Sequence, residues 1–266
     1  MGGGAVTVLA IESATDMVGV ALVADDGAVS ERIHLGGRAH AELLAPSIEE
    51  VCATSGTSLA DIGTIAVDIG PGLFTGLRVG VATAKALAQA LGIGVIGVSS
   101  LDTLAAAAYT RAEAEGAVGT VAAVVDARRG EVFAALFRFG VAGRGAGPPD
   151  PASVRDDRPE PLAPEALVEW LVGAAGDGPV TVVGDGAVRY RHLLSVHRGL
   201  DLRWAEELSA PPPSALGRLA RRRLDGGIPP LAAAELVPDY RRPADARINW
   251  EQRAPRPSAG SGGSTR

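Results

Sequence analysis

Acidic and hydroxyl side chains follow several of the apolar runs that the sequence predicts as β-strands. Glu12 and Ser13 come after the run VTVLAI, Asp126 ends the run VAAVVD, and Asp185 follows Gly184 after PVTVV. Ligands of α/β proteins bind beyond the ends of strands, so these residues are candidates for a ligand cleft. Phosphate transfer or hydrolysis there would need a metal, a nucleophile with its base, or a phosphate-binding cation. The sequence places no base beside Ser13, Asp126 or Asp185.

The glycine-rich stretch DIGPGLFTGLRVG, residues 68–80, is a second candidate, because glycine turns that precede helices bind phosphate. The P-loop motif is not met, since no Lys-Ser or Lys-Thr pair follows the last loop glycine. Gly70, Gly72 and Gly76 also miss the dinucleotide pattern G-x-G-x-x-G, because their last gap is one residue too long. Both phosphate motifs therefore fail on spacing.

The alternative function of these glycines is close packing. Gly76, Gly80 and Ala84 recur every four residues and leave one helical face free of large side chains, which a facing helix can approach. Val81 and Leu87 make the other faces apolar. A helix that is apolar nearly all round lies deep in a core or is shared with a partner. Packing or partner contact is therefore favoured, and direct nucleotide contact remains the alternative.

A second helix is predicted over HAELLAPSIEEVCATS, with Leu44, Ile48 and Val51 on one stripe and Gly56 as its stop. Pro46 predicts either a kink or a start at that point. We expect this helix and the helix of residues 76–91 to form a partner-binding face. The residues predicted at that face are Leu44, Ile48, Val51, Gly76, Arg78, Gly80, Val81, Ala84 and Leu87.

Composition excludes several other kinds of site. The chain has 266 residues and a net charge of −6, so as a whole it is not a strong polyanion binder. The arginine clusters at 221–223 and 241–242 lack interleaved aromatic residues, which favours a solvated face over an RNA-binding site. The single cysteine, Cys52, excludes an internal disulfide and a cysteine-based zinc cluster.

The four histidines do not form a metal site by local spacing. His192 and His197 are five residues apart, which misses the i, i+4 face of a helix. We expect His34, His40, His192 and His197 to be surface or structural residues. No apolar stretch reaches the roughly 18 to 20 residues of a membrane helix, and the N-terminus lacks the features of a secretory signal. We therefore expect a cytoplasmic chain with no membrane contact.

The order of predicted elements repeats along the chain. The first half opens with a strand and a tight turn, followed by a hairpin whose two strands are joined at residues 25–27. Strand–helix units follow. The second half restarts with VGTVAAVVDARRGEVFAALFRFG, a strand pair that turns at residues 128–130. This pattern predicts a duplicated α/β fold, with two lobes of mixed sheets flanked by helices and a ligand cleft between them. Residues 140–163 are rich in proline and glycine and predict an irregular segment.

Four segments together resemble one family. In order and spacing, AIESAT, GPGLFTGLRVGVATAKALA, GVSSLDTLA and DARRGEVFAA resemble the bacterial TsaB (YeaZ-like) proteins, with HAELLAPSIEEVC at the expected place between them. The resemblance is close over residues 5–135 and weaker at VVGDGA and PDYRR. It implies the fold of the actin/Hsp70/sugar-kinase superfamily. The implied lobes are residues 1–104 and 105–243, with a last helix at about 213–225 that packs back toward the first lobe and a flexible tail at 244–266.

The resemblance also implies a function. TsaB-like proteins are non-catalytic subunits of the complex that transfers threonylcarbamoyl to N6 of adenosine 37 in tRNAs reading ANN codons. The implied partners are the catalytic paralogue TsaD and a TsaE-type ATPase, with a homodimer when the chain is alone and tRNA contact only through the complex. TsaB-like proteins pair through the two helices described above. ATP is used by the complex, and no cofactor is assigned to this chain.

Three positions depart from related patterns. TsaD binds a metal through H-x-x-x-H after the strand equivalent to GVIGV, and these positions are Ser100 and Leu104 here. Glu12 replaces the aspartate usual in the first phosphate loop of the superfamily. Leu73 replaces the serine that usually follows Gly-Pro-Gly in TsaB proteins.

The rival interpretation is a stand-alone enzyme, either an ATP-dependent transferase or hydrolase or a glycoprotease-like protein. For such an enzyme, the candidates for cofactor contact are Glu12, Ser13, Gly70, Gly72, Asp126, Gly184 and Asp185.

Overall fold

The computed structural model describes residues 6–36, 39–114, 119–139, 150–158, 160–176, 178–196 and 199–241. Five strands form a first sheet in the order β3-β2-β1-β4-β5. Their bounds are β1 Thr7–Glu12, β2 Val18–Val23, β3 Val29–His34, β4 Ile62–Gly70 and β5 Gly94–Ser99. The hairpin strands β1, β2 and β3 pair antiparallel, whereas β4 and β5 continue the sheet in parallel.

A second sheet repeats this topology. Its strands are β6 Thr120–Arg128, β7 Glu131–Arg138, β8 Arg155–Asp157, β9 Val180–Val183 and β10 Leu202–Trp204. Their order is β10-β9-β6-β7-β8, in which each strand takes the place of its counterpart in the first sheet. The antiparallel and parallel pairings of the second sheet also match those of the first sheet. The predicted duplicated α/β architecture is confirmed.

Helices cover both faces of the first sheet. The helices are α1 His40–Ser55, α2 Phe74–Leu91, α3 Ser100–Ala114, α4 Pro164–Ala174, α5 Asp185–Arg189, α6 Arg191–Leu194 and α7 Pro213–Asp225. On β1, Leu9 and Ile11 face the core shared with α1 and α2, while Val8 and Ala10 face the core shared with α7. Successive strand residues point to opposite faces, so burial on both sides explains the uninterrupted apolar run of β1.

The chain returns to the first sheet after completing the second. Helix α7 contacts β1 and β2, and a Cβ at Gly217 would lie 2.6 Å from Val23 Cγ2. The predicted lobe boundary at residue 104 falls inside α3, which contacts both β6 and α7. Within the described ranges, none of the helices combines the length and hydrophobicity that a membrane span requires.

Residues 226–241, which we call the C-terminal strap, run along the first sheet beyond α7. Leu231 exchanges both backbone hydrogen bonds with Val95 of β5, and Asp239 N donates to Ile69 O at 2.7 Å. The side chain of Lys85 donates to Leu236 O at 2.9 Å. The strap therefore covers the outer edge of β5 and reaches the start of α2.

Several elements differ from the sequence-based expectations. Helix α1 runs from His40 through Pro46 without interruption, so the proline does not start it. Helix α2 begins at Phe74, earlier than predicted. The segment predicted to be irregular contains a 3-10 turn, Pro151–Val154, and the edge strand β8. Residues 140–149 of that segment, His197, Arg242 and the predicted tail at 244–266 lie outside the described residues.

Candidate functional site

The start of α2 packs directly on the β1–β2 turn, residues 13–17. Leu73 N donates to Ala14 O at 2.6 Å. Ser13 Oγ donates to Gly76 O at 2.9 Å. Two backbones therefore touch at the place where the first sheet would present a phosphate-binding turn.

Glycine is required for this contact at Gly72, just before α2, and at Gly76 and Gly80 on α2. A Cβ at Gly72 would lie 2.2 Å from Ala14 O, and one at Gly76 would lie 2.0 Å from Ser13 O. A Cβ at Gly80 would lie 2.2 Å from Ser13 Oγ. Real Cβ atoms do not approach other heavy atoms so closely, so each glycine serves close packing. The groove is filled by the chain's own turn, which corrects the expectation that a facing helix fills it.

The predicted partner-contact residues are mostly internal. Seven of them are buried in the first lobe: Leu44, Ile48, Val51, Gly76, Gly80, Val81 and Ala84. Leu44 is 1% exposed and Ala84 is fully buried, because the apolar stripes of α1 and α2 face the sheet. These buried residues are therefore not available for direct contact with a partner, contrary to the expectation from the sequence. Arg78 is exposed and Leu87 is half-buried, so the outer sides of the two helices remain available to a partner.

Two fully buried carboxyl groups, Glu12 and Asp68, lie together beneath the β1–β2 turn. Glu12 Oε1 accepts from Ala14 N at 2.8 Å, and Asp68 Oδ1 accepts from Gly70 N at 2.6 Å and Ser100 Oγ at 2.7 Å. Burial, followed by the charge of Asp68, raises the pKa of Glu12 well above its ordinary value. Neither Glu12 Oε2 nor Asp68 Oδ2 has a hydrogen-bonding partner among the described residues. Burial and the adjacent carboxyl group of Asp68 therefore both favour the protonated, uncharged form of Glu12.

The second sheet carries an acidic pair in equivalent positions, Asp126 on β6 and Asp185 after β9. Asp185 Oδ1 accepts from Asp126 N at 2.9 Å. Burial raises the pKa of Asp185 to about 6, and the neighbouring charge of Asp126 acts in the same direction. Gly184 has a φ of +100°, and a Cβ there would lie 2.1 Å from Val124 O. This glycine therefore also serves a strained, close-packed turn.

Arg128 joins the two lobes across the cleft. Its guanidinium lies 2.8 Å from Asp16 Oδ2 in the β1–β2 turn and 3.2 Å from Asp126 Oδ2. Arg128 has a φ of +63°, which is unfavourable for a residue with a side chain. An open cavity of about 840 Å³ lies beside this ion pair and is lined partly by His40 and Thr75.

A hydroxyl and an imidazole group at the β1–β2 turn are engaged with backbone carbonyls. Ser13 Oγ is engaged with a backbone carbonyl, and His40 Nε2 lies 2.9 Å from Thr15 O. At the positions of the paralogue's metal ligands, Ser100 Oγ donates a hydrogen bond to Asp68 Oδ1, and Leu104 is fully buried. The described part of the chain contains no group of three or more His, Cys, Asp or Glu residues that could hold a metal ion.

One arginine of each cluster, Arg223 and Arg241, is engaged inside the molecule. The side chain of Arg223 is 11% exposed and contacts Asp102 and Asp150, and that of Arg241 is 7% exposed and contacts Asp157. The solvated face expected from the sequence is therefore wrong at these two arginines. The acidic partners lie far away in the sequence, so local composition could not reveal the pairs.

Sequence reasoning missed Asp68, Asp16 and Arg128 as site residues. Asp68 had a usable signal, because it lies near the end of β4 before the glycine loop, as Asp185 follows β9 at the start of α5. The repeated strand order makes these positions equivalent. Nothing local marks Arg128, whose contact with Asp16 joins residues from different lobes.

Two five-stranded mixed sheets of equivalent strand order, each with a carboxyl pair at the ends of its first and fourth strands, define a protein of the actin/Hsp70/sugar-kinase class. A protein-family model described as TsaD, tRNA N6-adenosine threonylcarbamoyltransferase, matches residues 33–145.

Two curated relatives are tRNA threonylcarbamoyladenosine biosynthesis proteins TsaB. The one from Escherichia coli (strain K12) is 41% identical over 131 residues, 49% of this chain and 54% of that relative. The one from Bacillus subtilis (strain 168) is 28% identical over 250 residues, 92% and 97% of the two chains. The solved structure of YeaZ from Pseudomonas aeruginosa has a TM-score of 0.68 and 26% identity, covering 88% of this chain and 98% of its own.

The chain belongs to the TsaB (YeaZ-like) family. Its match spans about half the length of the Escherichia coli relative.

Proposed function

We propose that this chain is a non-catalytic subunit of the bacterial complex that transfers threonylcarbamoyl to N6 of adenosine 37 in ANN-decoding tRNAs. The names of its relatives support the pathway. One observation supports the absence of catalysis, namely the packing of α2 against the β1–β2 turn. In this proposal the chain activates a TsaD-type paralogue in the cytoplasm.

The chemistry of the turn disfavours phosphate binding. Backbone amides attract a phosphate, whereas carbonyls and carboxylates repel it. Here the carbonyl of Ser13 faces Gly76 of α2, the carbonyl of Ala14 faces Gly72 just before the helix, and the Ala14 amide donates to Glu12. A nucleotide phosphate at this turn would displace α2 and meet a buried carboxyl group. The chain therefore contributes structure to the complex, and its partners use ATP.

The outer sides of α1 and α2 are the proposed docking surface for the TsaD-type paralogue. Exposed alanines on both helices, such as Ala41 and Ala45 on α1 and Ala82 and Ala86 on α2, let another pair of helices approach closely. Glu42 begins a charged rim around them. The same surface would pair two copies of this chain when the paralogue is absent. A TsaE-type ATPase would complete the complex, and tRNA would be bound through it.

Reconstitution tests the proposal. The chain, a TsaD-type enzyme and a TsaE-type ATPase from the same bacterium are mixed with an ANN-decoding tRNA, ATP and the threonylcarbamoyl donor. Formation of threonylcarbamoyladenosine should depend on the chain, and the chain alone should neither hydrolyse ATP nor modify tRNA. Turnover by the purified chain alone would instead support the rival stand-alone enzyme. Full activity of the mixture without the chain would contradict the proposed role.

A further inference from the structure

A stack of two aromatic rings and an arginine lies at the start of α2. The centroid of the Tyr240 ring is 5.1 Å from that of Phe74, with 48° between the ring planes. Arg78 Cζ lies 3.9 Å from the centroid of the Phe74 ring. Arg78 and Phe74 are one helical turn apart on α2, while Tyr240 belongs to the C-terminal strap. The contact therefore joins segments separated by most of the chain.

Buried contacts hold the strap on both sides of Tyr240. Asp239 N donates to Ile69 O at 2.7 Å, which fixes the strap to β4. Arg241 donates from its two terminal nitrogens to the two carboxylate oxygens of Asp157, each at 2.7 Å, which fixes the strap to β8. The Arg241 side chain is 7% exposed, so this bidentate pair is largely shielded from water. The stack is consequently preorganised by both lobes.

The outer surface of this ordered stack is exposed. Tyr240 is 43% exposed and Val237, on the same strap, is 68% exposed. Arg78 is also exposed, and Phe74 is half-buried between the two. Tyrosine and arginine are enriched among the few residues that dominate the energy of protein interfaces. Rigid side chains also lose less conformational entropy on binding.

We propose that Arg78, Phe74 and Tyr240 are the anchor of the docking surface for the TsaD-type paralogue, with Val237 at its edge. This inference rests on the proposed function, because it extends the proposed docking surface from the outer side of α2 onto the strap. The partner surface that fits is an apolar pocket for the exposed face of Tyr240, with a carboxylate beside it for Arg78. The strap thereby becomes part of the interface and not only a cover for β5.

Binding of purified TsaD-type paralogue to single variants, measured by calorimetry, tests the anchor. Tyr240→Ala should raise Kd by at least about tenfold, and Tyr240→Phe should stay close to the unmodified chain because the ring remains. Arg78→Ala should also raise Kd by about tenfold. Val188→Ala on α5 is the matched control, since Val188 is 42% exposed and lies in the second lobe. It should leave Kd unchanged.

The outcomes separate this inference from the proposed function. If the unmodified chain binds the paralogue and both Tyr240→Ala and Arg78→Ala bind equally well, the anchor is overturned while the docking function stands. If the unmodified chain does not bind the paralogue, the proposed function itself fails. Thermal unfolding of each variant distinguishes a loss of affinity from a folding defect. If Tyr240→Ala lowers Tm, Arg78→Ala decides alone, because Arg78 lies on α2 with an exposed side chain and is not part of the strap.

Discussion

At Gly76 the helix backbone touches a backbone carbonyl, so a single methyl group is enough to disturb the site. A Cβ there would lie 2.0 Å from Ser13 O, and a carbonyl cannot rotate away as a side chain can. We expect Gly76→Ala to lower the free energy of unfolding by about 1–3 kcal/mol through overpacking. Urea unfolding followed by circular dichroism measures the change.

Gly173 on α4 provides a matched control for this substitution. A Cβ at Gly173 would meet no atom within 4 Å. Gly173→Ala should therefore stabilise the chain by about 0.5–1 kcal/mol, because alanine favours a helix more than glycine does. Equal effects at the two glycines would show that close packing at the turn is not the reason for Gly76.

Asp185 predicts a particular dependence of stability on pH. Its pKa is about 6 in the folded chain and 3.8 in its ordinary state, so between these values the folded state binds more protons than the unfolded state. The stabilising contribution is therefore present at low pH and is lost as pH rises from about 4 to about 6. Its full size is about 3 kcal/mol. Glu12 and Asp68, whose pKa values burial also raises, act in the same direction.

Asp185→Asn isolates this contribution. The amide oxygen of asparagine still accepts from Asp126 N, but it does not titrate. We expect the free energy of unfolding of the variant to fall less between pH 4 and pH 6.5 than that of the unmodified chain, with the variant the more stable at pH 7.5. Urea titrations at a series of pH values give both curves. Parallel curves would mean that Asp185 titrates normally.

At the scale of single elements, the two sides of α2 have separate roles. Its inner side, with Gly76, Gly80 and Ala84, packs on the β1–β2 turn and the sheet core. Its outer side exposes Ala82 and Ala86. A change on the outer side should therefore alter binding without altering the fold, whereas a change on the inner side should do the reverse.

Ala82→Glu tests the outer side of α2. A glutamate there would hold a facing helix away and lose its hydration in a close contact. We expect the affinity for the TsaD-type paralogue to fall by about tenfold or more, with Tm within a few degrees of the unmodified value. Ala166→Glu on the exposed side of α4 is the matched control. If both variants bind equally well, α2 does not carry the docking surface.

At the scale of the whole molecule, a buried network of charges holds the two halves together. Asp102 on α3 accepts from Arg155 of β8 at 3.0 Å and from Arg223 of α7 at 3.1 Å. Asp150 completes the pairing of Arg223. Burial raises the pKa of Asp102, and the two arginines oppose that shift. Elements of both lobes thus depend on one carboxylate.

Asp102→Asn leaves the two buried arginines with one charge partner fewer. Removing one member of a buried ion pair destabilises proteins by about 3–5 kcal/mol, and we expect a loss of that order here. Differential scanning calorimetry should also record a less cooperative transition, because the network connects the lobes. Asp61→Asn, on the exposed 3-10 turn Leu59–Asp61, is a suitable control and should change stability much less. An unchanged transition in Asp102→Asn would exclude the network as a lobe connection.

The sequence by itself determined the kinds of elements and their repetition. The hairpin turn at Asp25–Gly27, the αL stop at Gly56 and the apolar run of β1 are set by neighbouring residues, so local patterns predicted them. The repeated order of strands and helices then predicted the duplicated fold. The three-residue edge strands β8 and β10 escaped prediction, because so short a strand carries little periodicity and forms only through pairing with distant residues.

Only the tertiary structure decided which side of each helix is free. A helix that is apolar nearly all round does not specify whether Gly76 and Gly80 face a partner or the chain's own turn, since both would require small residues. Contacts over long sequence separations settled this, as they did for the pairing of Arg128 with Asp16 and of Tyr240 with Phe74. The reason is physical, because these contacts depend on how the two lobes and the strap pack together, which is a property of the whole chain.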